Sequence, residues 1–187
     1  MRNSNKGLWI TLGIIVLAVF CIFMAYNTLV TLNEDVTSKW SQVENQIQRR
    51  ADLIPNLVNT VKGYAAHEQK AITEVTDARA KLAGASGPVD IAEANAGLTS
   101  ALSRLLVVVE NYPNLKADTN FKALMDELAG SENRIATARM DYNRSVQTYN
   151  TKIQTMPAKF YAGFFGFKIR DYFKVEEAAK EVPKVSF

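Results

Sequence analysis

Nineteen consecutive residues, Leu8 to Tyr26, read LWITLGIIVLAVFCIFMAY and carry no charge. As an α-helix that run rises roughly 28 Å, close to the thickness of a bilayer's hydrocarbon core. In lipid a single segment satisfies its own backbone amides only as a helix, so the sequence predicts a membrane-spanning helix over 8–26. Trp9 and Tyr26 stand at its two ends, where amphipathic rings favour the interface. Arg2 and Lys6 place positive charge on the N-terminal side, and the first charges after the span are Glu34 and Asp35. By the positive-inside rule, residues 1–7 form a short cytoplasmic N-terminus and everything after Tyr26 is exported. Cleavage is not expected. A signal peptidase cutting after Ala25 would meet Phe23 where a small residue is wanted, and Cys21 follows bulky Phe20, unlike an acylated lipoprotein cysteine. A core helix of a soluble protein would show a polar face, and this stretch has none.

With 26 of 187 residues spent on the anchor, the remainder (27–187) is enough for one domain of ordinary size. Its net charge of +3 comes from interspersed Lys, Arg, Asp and Glu, with no block of like charge, so no nucleic-acid partner is expected. The single cysteine lies in the span, leaving the exported part without disulfides or thiol chemistry. Packing must supply its stability.

From Asn27 to Ala83, Trp40, Val43, Ile47, Ile54, Val58, Val61, Ala65, Ile72, Val75 and Leu82 recur at steps of three, four or their multiples. That spacing predicts one long amphipathic helix, widened by Leu53 and Leu57 and solvated on the side of Lys39, Gln42, Arg49, Lys62 and Lys70. Pro55 removes a backbone bond and crowds the preceding turn. With no glycine beside it and the apolar phase unbroken, a kink is expected there; the alternative is a reversal with Asp52 capping a new helix. Gly84 to Asp90, GASGPVD, predicts the loop of a helical hairpin, with Asp90 as the next cap. Ile91 to Asn111 follows as a helix buried through Leu98, Leu102, Leu105, Val108 and Val109, the LLVVV run at 105–109 being expected as its most enclosed end.

Tyr112-Pro113-Asn114 breaks that helix, and Asp118 or Thr119 caps a third, running from about Asn120 to Gln154. Phe121, Leu124, Leu128, Ile135, Tyr142, Val146, Tyr149 and Ile153 trace its inner face at near-heptad spacing. Tyr142-Asn143 and Tyr149-Asn150 lie seven residues apart and so share a face. The expectation is a core edge where rings pack and hydroxyls find partners, with ligand binding as the alternative. Beyond Pro157, seven aromatic residues fall between Phe160 and Phe173. Such density rarely stays exposed, so a short fourth helical element covering the bundle end is expected, with a partner or membrane surface as the alternative. Chain parity bears on the choice. A continuous first helix would end the third far from the membrane, whereas a reversal at Pro55 would return the aromatic tail to the bilayer.

His67 is the sole histidine. A helical di-metal centre, a zinc protease or a nucleophile–base triad therefore cannot be assembled from this chain. GASG at 84–87 lacks the lysine and preceding strand of a phosphate loop. No catalytic, cofactor-binding or metal site is expected, and His67 beside Glu68 reads as a solvated surface residue.

Several segments resemble one family along essentially the whole chain. After the apolar anchor and Tyr26-Asn27 come Trp40-Ser41-Gln42-Val43-Glu44 and Arg49-Arg50-Ala51-Asp52-Leu53-Ile54-Pro55-Asn56-Leu57-Val58. Glu110-Asn111-Tyr112-Pro113-Asn114-Leu115-Lys116-Ala117, Ser131-Glu132-Asn133-Arg134-Ile135, Ala138-Arg139 to Tyr142-Asn143 and Tyr149-Asn150 follow, then Met156-Pro157, where family members often have Phe before the proline. In this order they resemble the LemA family of bacterial membrane-anchored proteins. The resemblance implies an antiparallel helical bundle, usually counted as four helices, at the bacterial inner (plasma) membrane. It supplies no reaction and no catalytic residues.

The fold expected is thus all-α: a transmembrane helix, then an antiparallel up-and-down bundle of three long helices and a short C-terminal fourth element. The polar signature positions Arg49, Arg50, Glu110, Glu132, Arg134 and Arg139 are expected to pair between helices and fix register, or to form a binding surface. Tyr142, Asn143, Tyr149 and Asn150 join them as candidate interaction positions. The functional expectation is a single-pass anchor carrying an interaction or scaffold domain. Its partners would be the bilayer, through 8–26, and a protein or a second copy. The alternative is an enzyme or an accessory subunit of an envelope enzyme.

Overall fold

A computed structural model describes residues 4–174. Among the described residues the secondary structure is entirely helical: α1 (Ser4–Tyr64), α2 (Gln69–Gly84), α3 (Gly87–Val109), α4 (Pro113–Ala117), α5 (Thr119–Gln154) and α6 (Ala158–Tyr161). The all-α class, with a long apolar N-terminal helix followed by further helices, is as the sequence indicates. The described residues divide into two compact units, 4–38 with 144–170 and 39–143 with 171–174.

The apolar run and the first bundle stretch are one uninterrupted helix of 61 residues. Its apolar window has a mean hydropathy of 2.7 and none of it is buried, so it is long and apolar enough to cross a membrane. Pro55 does not reverse the chain, because α1 continues through it to Tyr64. The stretch 27–83 is nonetheless two helices. Ala65 to Glu68 break it, and α2 folds back along α1. Alanines are good helix formers, so local propensity gives little warning of this turn. The reason is tertiary: a continued helix would carry Ile72, Val75 and Leu82 away from any partner, whereas the turn buries all three.

In the second unit the helices alternate in direction. Glu74 of α2 meets Arg104 of α3 and Glu68 meets Tyr112, while Arg49 and Trp40 of α1 meet Glu127 and Tyr142 of α5; within each helix pair one number rises as the other falls, as antiparallel neighbours require. Val43, Ile54 and Val61 of α1, Val75 of α2 and Leu98 and Leu105 of α3 are fully buried between them. The α2–α3 hairpin loop is shorter than GASGPVD suggests. Only Ala85 and Ser86 are outside helix, Ser86 is the N-cap in place of Asp90, and Pro88 sits in the first turn, where its missing N–H costs nothing. The LLVVV end of α3 is not the most enclosed part: Leu106 and Val107 are exposed, at 36% and 72%. Five consecutive helical residues sweep more than a full turn, so an apolar run of that length must turn some side chains outward. Leu115 of the short α4 is fully buried. Asp118 then caps α5, accepting the Phe121 N–H at 2.8 Å.

In the first unit, Leu29 and Val36 of α1 and Val146, Tyr149 and Ile153 of α5 are buried. Beyond α6 the chain closes a helix-terminating turn. The Phe167 N–H donates to the Ala162 carbonyl at 3.0 Å and the Gly166 N–H to Gly163 at 3.2 Å. Gly166, at φ +80°, takes the left-handed position such a turn requires. Residues 167–174 are irregular. The short fourth element exists as α6, but most of the aromatic segment is a turn followed by a strap.

Candidate functional site

Among the described residues the most enclosed charge is Arg50, 3% exposed on α1. Its guanidinium donates from Nη1 to Asn95 Oδ1 of α3 at 2.9 Å and from Nη2 to Glu132 Oε2 of α5 at 2.6 Å. One side chain thereby ties three helices. Burial pulls its ionisation below the ordinary arginine range, and the Glu132 carboxylate opposes that shift. Arg50 Nε finds no acceptor among the described residues. Neighbouring Arg49 pairs with Glu127 at 2.6 Å, and Glu127 also accepts from Arg134 at 3.0 Å. Glu110 pairs locally with Lys116 at 2.6 Å, an exposed contact. Arg139 is half-buried on α5 and has no ion pair among the described residues. Of the six charged signature positions, Arg49, Arg50 and Glu132 therefore join helices. Asn95 and Glu127 complete their contacts and were not singled out from sequence. Asn95 carried a signal: it falls on the buried α3 stripe between Ile91 and Leu98.

The Tyr-Asn repeats hold the chain's own C-terminal strap. In the second unit, Asn143 donates from Nδ2 to the Phe173 carbonyl at 3.0 Å and accepts the Phe173 N–H at 2.9 Å. The Tyr142 hydroxyl donates to the Asp171 carbonyl at 2.7 Å. Trp40 packs on Tyr142 and Phe173, with ring centroids 5.1 and 6.3 Å away. In the first unit, Asn150 makes the same two-way clasp on Arg170, at 2.8 and 2.9 Å, and Arg170 reaches Asn33 at 2.9 Å. Burial pushes the Tyr149 phenol above its usual range, opposed by the Arg170 charge and a hydrogen bond with the Lys168 backbone.

Also within the first unit, Tyr26 packs edge-on to Phe165 at 5.1 Å and against Phe167 at 5.7 Å. Val19, Ile22, Phe23, Tyr26 and Phe165 line an apolar groove of about 380 Å³. The second unit carries two more polar hollows. One of about 520 Å³ lies between α1 and α5 around Gln46, Arg134 and Asp141, and one of about 600 Å³ lies between α2 and α3 around Glu74, Asp90 and Arg104. Among the described residues no three His, Cys, Asp or Glu side chains converge as a metal ion would need. His67 is exposed.

The LemA family model matches residues 39–187. The chain belongs to the LemA family. Magnetosome protein MamQ 2 of Paramagnetospirillum magneticum is 34% identical over 198 residues, covering 92% of this chain and 72% of that protein. Magnetosome protein MamQ of Magnetospirillum gryphiswaldense is 31% identical over 216 residues, 99% of this chain and 79% of its own length, a span that takes in the apolar N-terminal segment. Protein LemA of Metamycoplasma hominis is 23% identical over 133 residues, 69% of this chain and 59% of its own. In this LemA-family chain the family match begins at Lys39, so the strap-holding residues Tyr142, Asn143, Tyr149 and Asn150 all lie inside it.

Proposed function

We propose that this LemA-family protein is a single-pass protein of the bacterial inner (plasma) membrane. Residues 1–7 stay in the cytoplasm, 8–26 cross the bilayer, and the bundle of 27–187 is exported as an interaction or scaffold module that binds another envelope protein or a second copy. The observation that carries the reading is α1 itself. Its apolar window is wholly unburied, and the same helix runs on without a break into a packed bundle. The exposed pair Leu106 and Val107 on α3, flanked by exposed Ser103, Arg104 and Glu110, supports a partner that covers apolar side chains. Arg49, Arg50 and Glu132 then act first as register pins inside the bundle, and Arg139 is free of ion pairs among the described residues and open to a partner.

Photocrosslinking in intact cells from a probe at Val107, read by mass spectrometry, tests the interaction. Recovery of a crosslinked protein or dimer is expected, and uncrosslinked monomer alone would overturn it. A reporter fused after Phe187 that is active only in the cytoplasm would overturn the orientation while leaving the interaction untouched.

A further inference from the structure

We propose that the turn after α6 is a second, interfacial membrane element. Phe160 and Phe164 insert into the outer leaflet beside the span, while Lys159, Lys168 and Arg170 meet anionic lipid headgroups. The inference rests on the reading of 8–26 as a span. Its ground is depth. Phe165 shares one groove with Val19, Ile22, Phe23 and Tyr26, and these four α1 residues cover about 10 Å of helix ending at the outer edge of the apolar run. Whatever medium surrounds Ile22 and Phe23 must therefore reach Phe165.

The neighbouring rings are bare. Phe164 is 88% exposed and Phe160 79%, on a segment that buries Ala158 and Ala162 close by. Water is a poor medium for two such rings, and their position next to the span is continuous with the lipid-facing surface of α1. Charge agrees with the assignment. Residues 144–170 contain Arg144, Lys152, Lys159, Lys168 and Arg170 and no acidic residue, a basic segment suited to an anionic leaflet. The Gly166 turn holds this loop shut, and the Asn150 clasp on Arg170 fastens its far end.

The full chain reconstituted into phosphatidylethanolamine–phosphatidylglycerol vesicles provides the test. In a Cys21→Ala background, single substitutions Phe164→Cys, Phe160→Cys, Leu17→Cys and Ser103→Cys each carry an environment-sensitive fluorophore, quenched in turn by nitroxide lipids and by aqueous iodide. The expected result is loss of most fluorescence to a shallow nitroxide at 160 and 164, to a deep nitroxide at 17, and to iodide alone at 103. Quenching by lipid at 17 but only by iodide at 164 would overturn the insertion and leave the span standing. A probe at 164 shielded from both quenchers would overturn it in favour of a protein cover. No lipid quenching at 17 would show instead that the span reading had failed.

Discussion

The Arg79 guanidinium donates from Nε to the carbonyl oxygen of Ala51 at 2.9 Å, and Ala51 is the residue whose helical partner Pro55 removes. A proline at position i cannot donate to the carbonyl at i−4, so α1 presents at Ala51 an acceptor that Pro55 leaves without its usual helical donor. Arg79, brought back by the turn at 65–68, supplies one from α2. The residue that breaks the ladder of α1 thus becomes the point where the next helix is fastened to it.

Arg79→Met should destabilise the bundle by about 1–3 kcal/mol, because it leaves a part-buried carbonyl unpaired. In a Pro55→Ala background the restored amide satisfies Ala51, and the same change should cost much less. A double-mutant cycle from denaturant unfolding of the detergent-solubilised chain would show a coupling of about 1 kcal/mol. Additive effects would mean that the two residues do not share the carbonyl.

The two arginines at 49 and 50 should behave very differently. Glu132→Ala strands the buried Arg50 guanidinium with Asn95 alone, and is expected to cost about 2–3 kcal/mol, discounted from the fully buried case because Glu132 is half exposed. Glu127→Ala removes only exposed partners of Arg49 and Arg134 and should cost under about 1 kcal/mol. Unfolding midpoints of the two variants check the order.

The strap should open on demand. Asn150→Ala deletes both bonds to the Arg170 backbone, a local loss of about 1–3 kcal/mol. Limited trypsin digestion should then cut after Lys168 and Arg170 about tenfold faster or more, since about 1.4 kcal/mol is a factor of ten in the open population. Asn143→Ala should speed cleavage after Lys174 in the same way, with helix content unchanged by circular dichroism.

Acid should loosen the α4–α5 corner. The Phe121 N–H and then the Tyr64 hydroxyl hold the Asp118 carboxyl below its ordinary value of 3.8. A group depressed in the folded state contributes stability that is present above its unfolded value and lost as pH falls through the folded one. Tyr64→Phe should therefore flatten the acid limb of the stability profile below about pH 4. The Tyr64 phenol, raised by the same bond, contributes below its unfolded value of about 10 and loses that contribution at higher pH, so the variant should flatten the alkaline limb too. Thermal unfolding across pH, compared with the parent chain, reads both.

Much of the fold was legible because periodicity is a one-dimensional record of burial. The stripe from Val43 to Leu82, the Asp118 cap and the inner face of α5 could be marked on the sequence, since the heptad and 3.6-residue spacings depend only on helical geometry. The turn at 65–68 was not, for alanine, histidine and glutamate are all compatible with helix and nothing local forces the chain to stop. That one missed turn changes the parity of the bundle. With α1 to α2 reversed there rather than at Pro55, α5 runs antiparallel to α1 and the aromatic segment meets Tyr26. The Tyr-Asn repeat was visible as a pair of polar positions on one face. Its object, the irregular backbone of residues 167–174, has no pattern of its own and could not be matched to it.

By itself the sequence determined that an uncharged helix of membrane length heads this chain and that the rest folds as amphipathic helices without disulfides, because charge, length and apolar spacing act locally and need no partner. Tertiary structure alone decided where α1 ends, that Arg79 answers the carbonyl freed by Pro55, and that Asn143 and Asn150 grip the tail. Each of those outcomes is a contact between residues distant in sequence, set by which apolar faces can be buried together, and burial is a property of the assembled bundle.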